Sequence, residues 1–178
     1  MYQGVIMAGF GGQGVVSGGI LLAYSGMVDG KQVTFFPAYG AEMRGGTANC
    51  SVVISSEEIA SPVVAFPDSL LVMNEPSLTK FEPTLHSKGV LFLNSSLIES
   101  RSKRDDIETI EIPANDIAEE VCNIKCANMV MIGAYIKKTG AINLEAVKNS
   151  LNKVYVRANE NIIEMNRKAI DRGAELIK

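Results

Sequence analysis

Apolar residues in this chain fall into short continuous runs separated by segments with a helical period. The runs 68–73 and 89–94 are bounded by polar turns, which is typical of central strands covered on both faces. In 48–55 the apolar side chains alternate instead, with Cys50, Val52 and Ile54 on one side. The pattern predicts six strands: 5–8, 33–36, 48–55, 68–73, 89–94 and 107–112.

Helical segments lie between the strands and fill the last third of the chain. Five helices are predicted. The first covers 76–85, and the second is capped by Asn115 or Asp116 and runs through Cys122. The third covers 127–138 and ends before Gly140, the fourth covers 144–151 and is capped by Asn143, and the last begins at about Ala158. The final helix is expected to carry Ile162, Met165, Ala169 and Leu176 near one face. Strands alternating with helices predict one domain over residues 1–178, a three-layer α/β/α fold with a mainly parallel sheet and a helical C-terminal third.

The first predicted strand runs into a Rossmann-like glycine-rich turn, Gly9–Gly14, that opens a helical pattern. Such a turn lets the backbone approach a ligand, and the N–H groups of the first helical turn favour an anion such as phosphate. The candidate ligand-binding residues are Gly11, Gly12, Gln13 and Gly14. The spacing of Gly9, Gly11 and Gly14 also satisfies the dinucleotide-binding fingerprint. That alternative lacks the carboxylate expected at the end of the second strand, where the sequence continues as Pro37–Gly40.

A second unusual segment follows the second predicted strand and combines an aromatic residue, a carboxylate, a guanidinium and three glycines. Its candidate interface residues are Tyr39, Gly40, Glu42, Gly45 and Gly46. Arg44 is the best single candidate for contact with a ligand or a partner, because its planar fork can hold a carboxylate or phosphate at two points. Glu42 would hold Arg44 in place. From the residues alone, a simple ion pair between Glu42 and Arg44 is an equal alternative.

Composition and charge exclude several classes of function. The 178 residues are 47% hydrophobic and 21% charged, which suits one globular core. The net charge is −3 and the 17 Lys and Arg residues are scattered, so nucleic-acid binding is not expected. No apolar run approaches the roughly 20 residues that span a bilayer, and no signal-like segment opens the sequence. A cytoplasmic protein without membrane contact is therefore expected.

Cysteine and histidine residues give no sign of a metal or catalytic site. Three cysteines cannot by themselves ligate a four-cysteine iron–sulfur cluster. Cys122 and Cys126 have the spacing of one helical face, but this spacing is unusual for zinc or redox pairs, and buried inert thiols are expected. The single histidine, His86, lies in a polar segment and is expected to be solvated.

Two motifs together resemble a known family. The pairing of Gly11–Gly14 with Tyr39–Gly46 closely resembles the gamma subunit of 2-oxoacid:ferredoxin oxidoreductases. Further landmarks follow in the family's order at 54–55, 61–62, 67–68, 73–78, 94–97, 112–114, 127–134 and 166–173. Their joint appearance over nearly the whole chain is far more specific than one glycine run. The segments Gly9–Val16 and Met73–Leu78 look most like 2-oxoglutarate-type members, while Ala41 and 121–123 depart from the usual pattern.

The resemblance implies a subunit of a complex that oxidatively decarboxylates a 2-oxoacid, with 2-oxoglutarate favoured, to an acyl-coenzyme A and reduces ferredoxin. It implies companion alpha and beta subunits, optionally a ferredoxin-like delta subunit, that carry thiamine diphosphate, magnesium and iron–sulfur clusters. By resemblance, this chain serves assembly and the coenzyme A side of the active site, and is inactive alone. It has no nucleophile–base pair, metal set or thiamine motif, so no catalytic or metal-binding residue is assigned. A purely structural subunit and a stand-alone dinucleotide-binding oxidoreductase are the alternatives.

Overall fold

The computed structural model describes residues 1–39, 47–121 and 123–178, with the side chain of Tyr39 outside the description. These residues form a mixed α/β fold around a six-stranded sheet. Its strands are β1 (Tyr2–Phe10), β2 (Gln32–Tyr39), β3 (Thr47–Ser55), β4 (Ser69–Val72), β5 (Val90–Asn94) and β6 (Glu108–Ile112). All six predicted strands are present. The first two are longer than predicted, because polar and small residues at their ends also pair with β3.

The strand order in the sheet is β2-β3-β1-β4-β5-β6. β1 pairs in parallel with β4, and the parallel pairing continues through β5 to β6. β3 lies between β1 and β2 and is antiparallel to both. β1 and β2 therefore run in the same direction, and β3 is the one described strand that opposes the others. The predicted mainly parallel sheet is confirmed, with an antiparallel insertion that the apolar pattern did not reveal.

Six α-helices accompany the sheet in the described residues: α1 (Val15–Val28), α2 (Glu75–Phe81), α3 (Ala114–Val121), α4 (Ala127–Thr139), α5 (Leu144–Val154) and α6 (Glu160–Glu175). Helices other than α2 share a core with one face of the sheet, through residues such as Met7, Leu71 and Phe92. The opposite face has a smaller core, in which Leu70 meets Leu78 of α2 and nearby loop residues. The predicted layers are present, but the two layers that cover the sheet are very unequal.

Local capping signals account for several helix ends. Asn143 accepts a hydrogen bond from the backbone N–H of Glu145 at 2.9 Å and caps α5, as predicted. Gly140 ends α4 with φ 61°, in the left-handed region that favours glycine. Asn74 and Asn159 cap α2 and α6 through the same kind of bond.

Two predicted helices differ from the structure at their ends. α2 is shorter than the predicted helix, and the next turn is 3₁₀, because Pro83 has no N–H for an α-helical bond. α3 begins at Ala114, before both predicted caps. The side chain of Asn94, at the end of β5, accepts a hydrogen bond from the N–H of Ala114 at 3.2 Å and donates one to Asn115 at 2.9 Å. Asn94, which lies on β5 and not next to α3 in the sequence, therefore caps α3. No local sequence pattern indicates this cap.

Helices α4 and α6 pack closely at Gly133 and Gly173. A Cβ atom on Gly133 would collide with the carbonyl group of Ile170, and one on Gly173 would collide with that of Val130. The two backbones therefore touch at two reciprocal points, where only glycine fits.

This contact sets the rotation of α6. Its buried residues are Ile163, Asn166, Ala169, Ile170, Gly173 and Ala174. The predicted face was wrong for Ile162 and Leu176, which are 43% and 42% exposed. The apolar pattern favoured these large side chains, whereas the real interface is built around small residues that let the helices approach.

Arg104 fixes the polar segment 99–106 to the body of the molecule. Its guanidinium donates to the carbonyl groups of Glu82 and Leu85, at 2.9 and 2.7 Å, and pairs with Asp106 at 2.6 Å. The hydrogen bond from Arg104 holds the pKa of the Asp106 carboxyl well below its usual range. Arg104 is therefore engaged within the chain, as is Arg101, which pairs with Glu111, whereas Lys103 is exposed.

Replacing Gly133 by alanine should lower the free energy of unfolding by about 1–3 kcal/mol, because the new methyl group would overlap the α6 backbone. Gly26→Ala is a matched helical control, since a Cβ there would lie 3.3 Å from the nearest atom, a Val33 methyl group. The higher helix propensity of alanine should leave that variant neutral or slightly more stable. Urea unfolding measures the stability of both variants. Equal unfolding midpoints for Gly133→Ala and Gly26→Ala would contradict the close contact of α4 with α6.

Candidate functional site

A crevice lies at the carboxyl end of the sheet, where the chain winds in opposite directions from two neighbouring strands. After β1 the chain continues through α1 towards β2, whereas after β4 it continues through α2 to β5. β1 and β4 are adjacent and parallel, so their ends form a topological switch point, the usual ligand position in open α/β sheets. The glycine-rich turn after β1 lies at this point.

The turn between β1 and α1 requires glycine at two positions. Gly12 has φ 100° and Gly14 has φ 72°, both in the region that side chains disfavour. The carbonyl of Gly14 accepts hydrogen bonds from the N–H of Gly18 at 2.8 Å and from the side-chain amide of Asn128 at 3.0 Å. A Cβ atom on Gly14 would overlap that amide. Gly11 and Gly12 are exposed, so the backbone of the turn is open to a ligand or a partner.

Gln13 braces the turn against the end of β4. Its Oε1 accepts a hydrogen bond from the N–H of Phe10 at 2.6 Å and one from Asn74 at 3.4 Å. Its Nε2 donates to the carbonyl of Met73 at 3.1 Å. The amide that was predicted to contact a ligand is thus engaged within the chain, and it holds the two sides of the crevice together.

A cavity of about 200 Å³ opens beside the turn. Its lining residues come from the turn, the end of β4 and the starts of α3 and α4: Gly12, Gln13, Met73, Asn115, Ile124, Lys125 and Ala127. Cavities that hold a whole drug-sized ligand usually measure roughly 300–1,000 Å³. This one suits a single group such as a phosphate or a carboxylate.

The charge around the cavity favours an anion. α1 and α4 both begin beside it, and the N-terminal ends of helices carry partial positive charge. Neither first turn contains an acidic residue, and Gly14 has no side chain to bond the free N–H groups of α1. Lys125 adds a full positive charge at the exposed rim. The arrangement can bind and orient an anionic group, but its lining contains no nucleophile–base pair.

The second glycine-rich segment begins and ends at the same edge of the sheet. Tyr39 pairs with Ala48, and Phe10 pairs with Thr47, so the ends of this segment lie level with the start of the glycine turn. Both motifs are therefore at one edge, as the sequence predicted for parallel first strands. The predicted site residues Gly40, Glu42, Arg44, Gly45 and Gly46 lie outside the described residues, and their roles stay predictions.

The strand order does not support the dinucleotide-binding alternative. In the dinucleotide fold the second strand lies next to the first and carries the ribose-binding carboxylate. Here β3 separates β2 from β1, and β2 ends at Tyr39 without an acid. A carboxylate at that position would not lie beside the glycine turn.

The described cysteines are buried, as predicted. Cys50 is fully buried against α1, and burial raises the pKa of its thiol to about 12. Cys126 is 5% exposed and lies in a 3₁₀ turn before α4. Cys126 lies before the start of α4, and the predicted common helical face with Cys122 stays a prediction. Cys122 itself lies outside the description.

The residues that the structure describes do not fit a metal cluster. Among them, no group of three His, Cys, Asp or Glu side chains is placed to hold a metal ion. His86 is exposed, as predicted, and its Nδ1 lies 2.7 Å from the carbonyl oxygen of Ser87. Over the same residues, no helix combines the length and the apolar character needed to cross a bilayer.

Sequence reasoning missed three polar residues of the site. Asn74 precedes Glu75-Pro76-Ser77, and a capping asparagine with proline in the first turn could have indicated it. Asn128 and Lys125 reach the glycine turn only because the start of α4 packs beside it. No local signal in the sequence shows that approach.

Comparison with known families and proteins gives consistent similarities. The profile of the family described as pyruvate ferredoxin/flavodoxin oxidoreductase matches residues 4–176. Ketoisovalerate oxidoreductase subunit VorA of Methanothermobacter marburgensis is 36% identical over 96% of this chain, but the match spans only 36% of VorA. 2-Oxoglutarate synthase subunit KorC of the same organism is 35% identical, over 99% of this chain and 97% of KorC. The chain thus spans about a third of the length of its VorA relative and nearly all of KorC.

Two solved structures share the fold. The gamma subunit of a keto/oxoacid ferredoxin oxidoreductase from Geobacter sulfurreducens has a TM-score of 0.84 and 29% identity, over 98% of this chain and 97% of its own. A 2-oxoglutarate:ferredoxin oxidoreductase from Magnetococcus marinus, with 2-oxoglutarate, coenzyme A and succinyl-CoA bound, has a TM-score of 0.89 and 23% identity. That match covers 98% of this chain and 31% of the other chain. The predicted resemblance to the gamma-subunit family is confirmed.

Gln13→Glu should lower the free energy of unfolding by about 1–3 kcal/mol at neutral pH, because a carboxylate oxygen would face the carbonyl of Met73 in place of the donating amide. This contact raises the pKa of the new carboxyl in the folded state, so the loss should diminish as the pH falls through that pKa and the group becomes protonated. Gln3→Glu at the other end of β1 is the control. Urea unfolding at pH 7 and pH 4 tests this, and equal midpoints for the two variants would contradict the bracing role.

Proposed function

Because the chain belongs to the pyruvate ferredoxin/flavodoxin oxidoreductase family, we propose that it is a gamma-type subunit of a 2-oxoacid:ferredoxin oxidoreductase complex. In the proposed reaction the complex removes CO₂ from a 2-oxoacid, transfers the acyl group to the thiol of coenzyme A and passes the electrons to ferredoxin. The main observation for this chain's role is the cavity at the carboxyl edge, whose surroundings favour an anion and whose described lining contains no nucleophile–base pair.

The chain's own contribution is proposed to be assembly and positioning on the coenzyme A side. The cavity beside Gly12 has room for one phosphate group, and Lys125 with the starts of α1 and α4 supplies the positive charge. Coenzyme A carries several phosphates, so it offers the matching group. Arg44 is proposed to assist from the neighbouring segment, either on coenzyme A or on a partner's carboxylate.

Decarboxylation and electron transfer are assigned to companion subunits. Thiamine diphosphate with magnesium supplies the carbanion chemistry when bound, and the described residues here do not fit it or an iron–sulfur cluster. The proposed partners are alpha and beta subunits, optionally a ferredoxin-like delta subunit, and ferredoxin itself. The isolated chain is expected to be folded and inactive.

2-Oxoglutarate is the proposed substrate, on the likeness of Gly9–Val16 to 2-oxoglutarate-type members. Overall identity does not separate the branches, since KorC and VorA are 35% and 36% identical to this chain. A subunit that only supports assembly is the second candidate, because exposed Gly11 and Gly12 would equally admit a neighbouring backbone.

The purified complex that contains this chain should reduce ferredoxin only when both a 2-oxoacid and coenzyme A are present. Measuring kcat/KM for 2-oxoglutarate, pyruvate and 2-oxoisovalerate identifies the preferred substrate. 2-Oxoglutarate should give the highest value. The isolated chain is the control and should give no turnover. Failure of every 2-oxoacid to drive coenzyme A-dependent reduction would contradict the proposed function.

Lys125→Gln should raise the Kd of the assembled complex for coenzyme A roughly two- to ten-fold, because an exposed lysine that meets a phosphate contributes modestly. Lys103→Gln, at an exposed position in 99–106, removes the same charge away from the cavity and should leave the Kd unchanged. Calorimetry with coenzyme A, and size-exclusion chromatography for assembly, measure the two effects. Lost assembly with unchanged coenzyme A affinity would instead support the purely structural role.

A further inference from the structure

The orientation of the Asn115 side chain, in the cavity beside Gly12, is fixed by hydrogen bonds that begin behind it. The backbone N–H of Ala114 can only donate, so the Asn94 atom that it meets at 3.2 Å is the acceptor Oδ1. The other terminal atom of Asn94 is therefore Nδ2, which donates to Oδ1 of Asn115 at 2.9 Å. This leaves Nδ2 of Asn115 as the side-chain atom available to an occupant of the cavity.

We propose that Asn115 is a ligand-binding residue that donates a hydrogen bond to a phosphate group in this cavity. Asn94 is then the positioning residue that keeps the donor turned towards the ligand. Asn94 is fully buried at the end of β5, so it acts only through Asn115. Asn115 is half-buried in the first turn of α3. The inference rests on the proposed function only in naming coenzyme A as the source of the phosphate.

Among the described lining residues, the polar side chains offer donors and leave no free acceptor. Oε1 of Gln13 already accepts two hydrogen bonds within the chain. Lys125 has only donors, and Oδ1 of Asn115 is occupied by Asn94. The other lining residues have no N or O atom in their side chains: Gly12, Met73, Ile124 and Ala127. A group made only of acceptors satisfies this set, whereas an ammonium or amide group would leave donors facing donors.

A terminal phosphate group matches these donors better than a carboxylate does. The donors come from three parts of the chain: Nδ2 of Asn115, the ammonium group of Lys125 and the free N–H groups where the glycine turn opens α1. A phosphate ester presents three strong acceptor oxygens, one for each of these parts, whereas a carboxylate presents two. Asp116, the acidic residue in the first turn of α3, is exposed and is not among the lining residues.

The first test is Asn115→Asp in the full chain, with inorganic phosphate as the probe. The aspartate keeps the size and the bond from Asn94, but it turns a charged oxygen towards the cavity in place of the donor. Phosphate should shift the side-chain amide signal of Asn115 saturably in NMR spectra of the unmodified, isotope-labelled chain. The Kd, followed at the backbone amide of Gly12, should rise roughly ten-fold or more in Asn115→Asp.

Folding stability separates this role from a structural one. An acidic residue in the first turn of a helix is favoured by the helix dipole, so Asn115→Asp should unfold at the same or a higher urea concentration. Gln32→Glu is the matched control, because it makes the same isosteric change of charge at an exposed position at the start of β2, on the amino edge of the sheet. It should leave the Kd for phosphate within about two-fold.

Asn94→Asp tests the positioning role. The carboxylate would still accept the N–H of Ala114, but its second oxygen would accept where the amide donated. Asn115 would then turn its Nδ2 towards residue 94 and its Oδ1 towards the cavity. The Kd for phosphate should rise roughly five-fold or more, although residue 94 does not touch the ligand. Urea unfolding shows whether the buried charge weakens the fold, and Asn115→Asp decides the proposal if it does.

Unchanged phosphate affinity in Asn115→Asp, or an Asn115 amide signal that phosphate does not shift, would overturn the proposal. Tighter binding of acetate than of phosphate would overturn the choice of ligand. Calorimetry of the assembled complex with coenzyme A should rank the variants in the same order, and an effect on phosphate without one on coenzyme A would overturn coenzyme A as the source. Since the phosphate titration does not follow turnover, its failure is distinct from a failure of 2-oxoacid-dependent ferredoxin reduction.

Discussion

The end of β1 is the point on which the rest of the molecule depends, because three elements meet there with no room for a side chain. A Cβ atom on Gly9 would lie 2.6 Å from the Gln13 side chain, 2.8 Å from Met73 and 3.0 Å from Val15. The start of α1 and the end of β4 can approach β1 only under this condition. Their approach creates the crevice, and the amide of Gln13 then fixes its width.

The insertion of β3 between β1 and β2 has two consequences for function. It returns β2 to the direction of β1, so the glycine turn and the second glycine-rich segment are at one edge of the sheet. It also places β2 and β3 beyond α2, which packs on β1 and β4. One feature of topology therefore accounts both for the grouped motifs and for the unequal layers.

The sequence predicted what depends on neighbouring residues. Apolar runs located all six strands, and the caps Asn143 and Gly140 follow from short-range rules. What it did not predict depends on contacts between distant segments. Asn94 caps α3 from another strand, and the face that α6 buries is decided by glycine contacts with α4. The glycine turn was recognised from its motif, whereas Lys125 joins the site only through the packing of α4.

In the proposed role, the small size of the cavity limits what this chain alone would contribute to coenzyme A binding. One charge-assisted contact is worth about 1.5–3 kcal/mol, whereas micromolar affinity requires about 8 kcal/mol. Under this proposal, most of the binding energy would come from groups on a companion subunit. Phe10 lies at the end of β1: its N–H donates to Gln13 in the crevice, and its side chain is 37% exposed. In the proposed complex, a partner that contacts this exposed ring would lie close to the crevice, so assembly and ligand binding would be coupled through the end of β1.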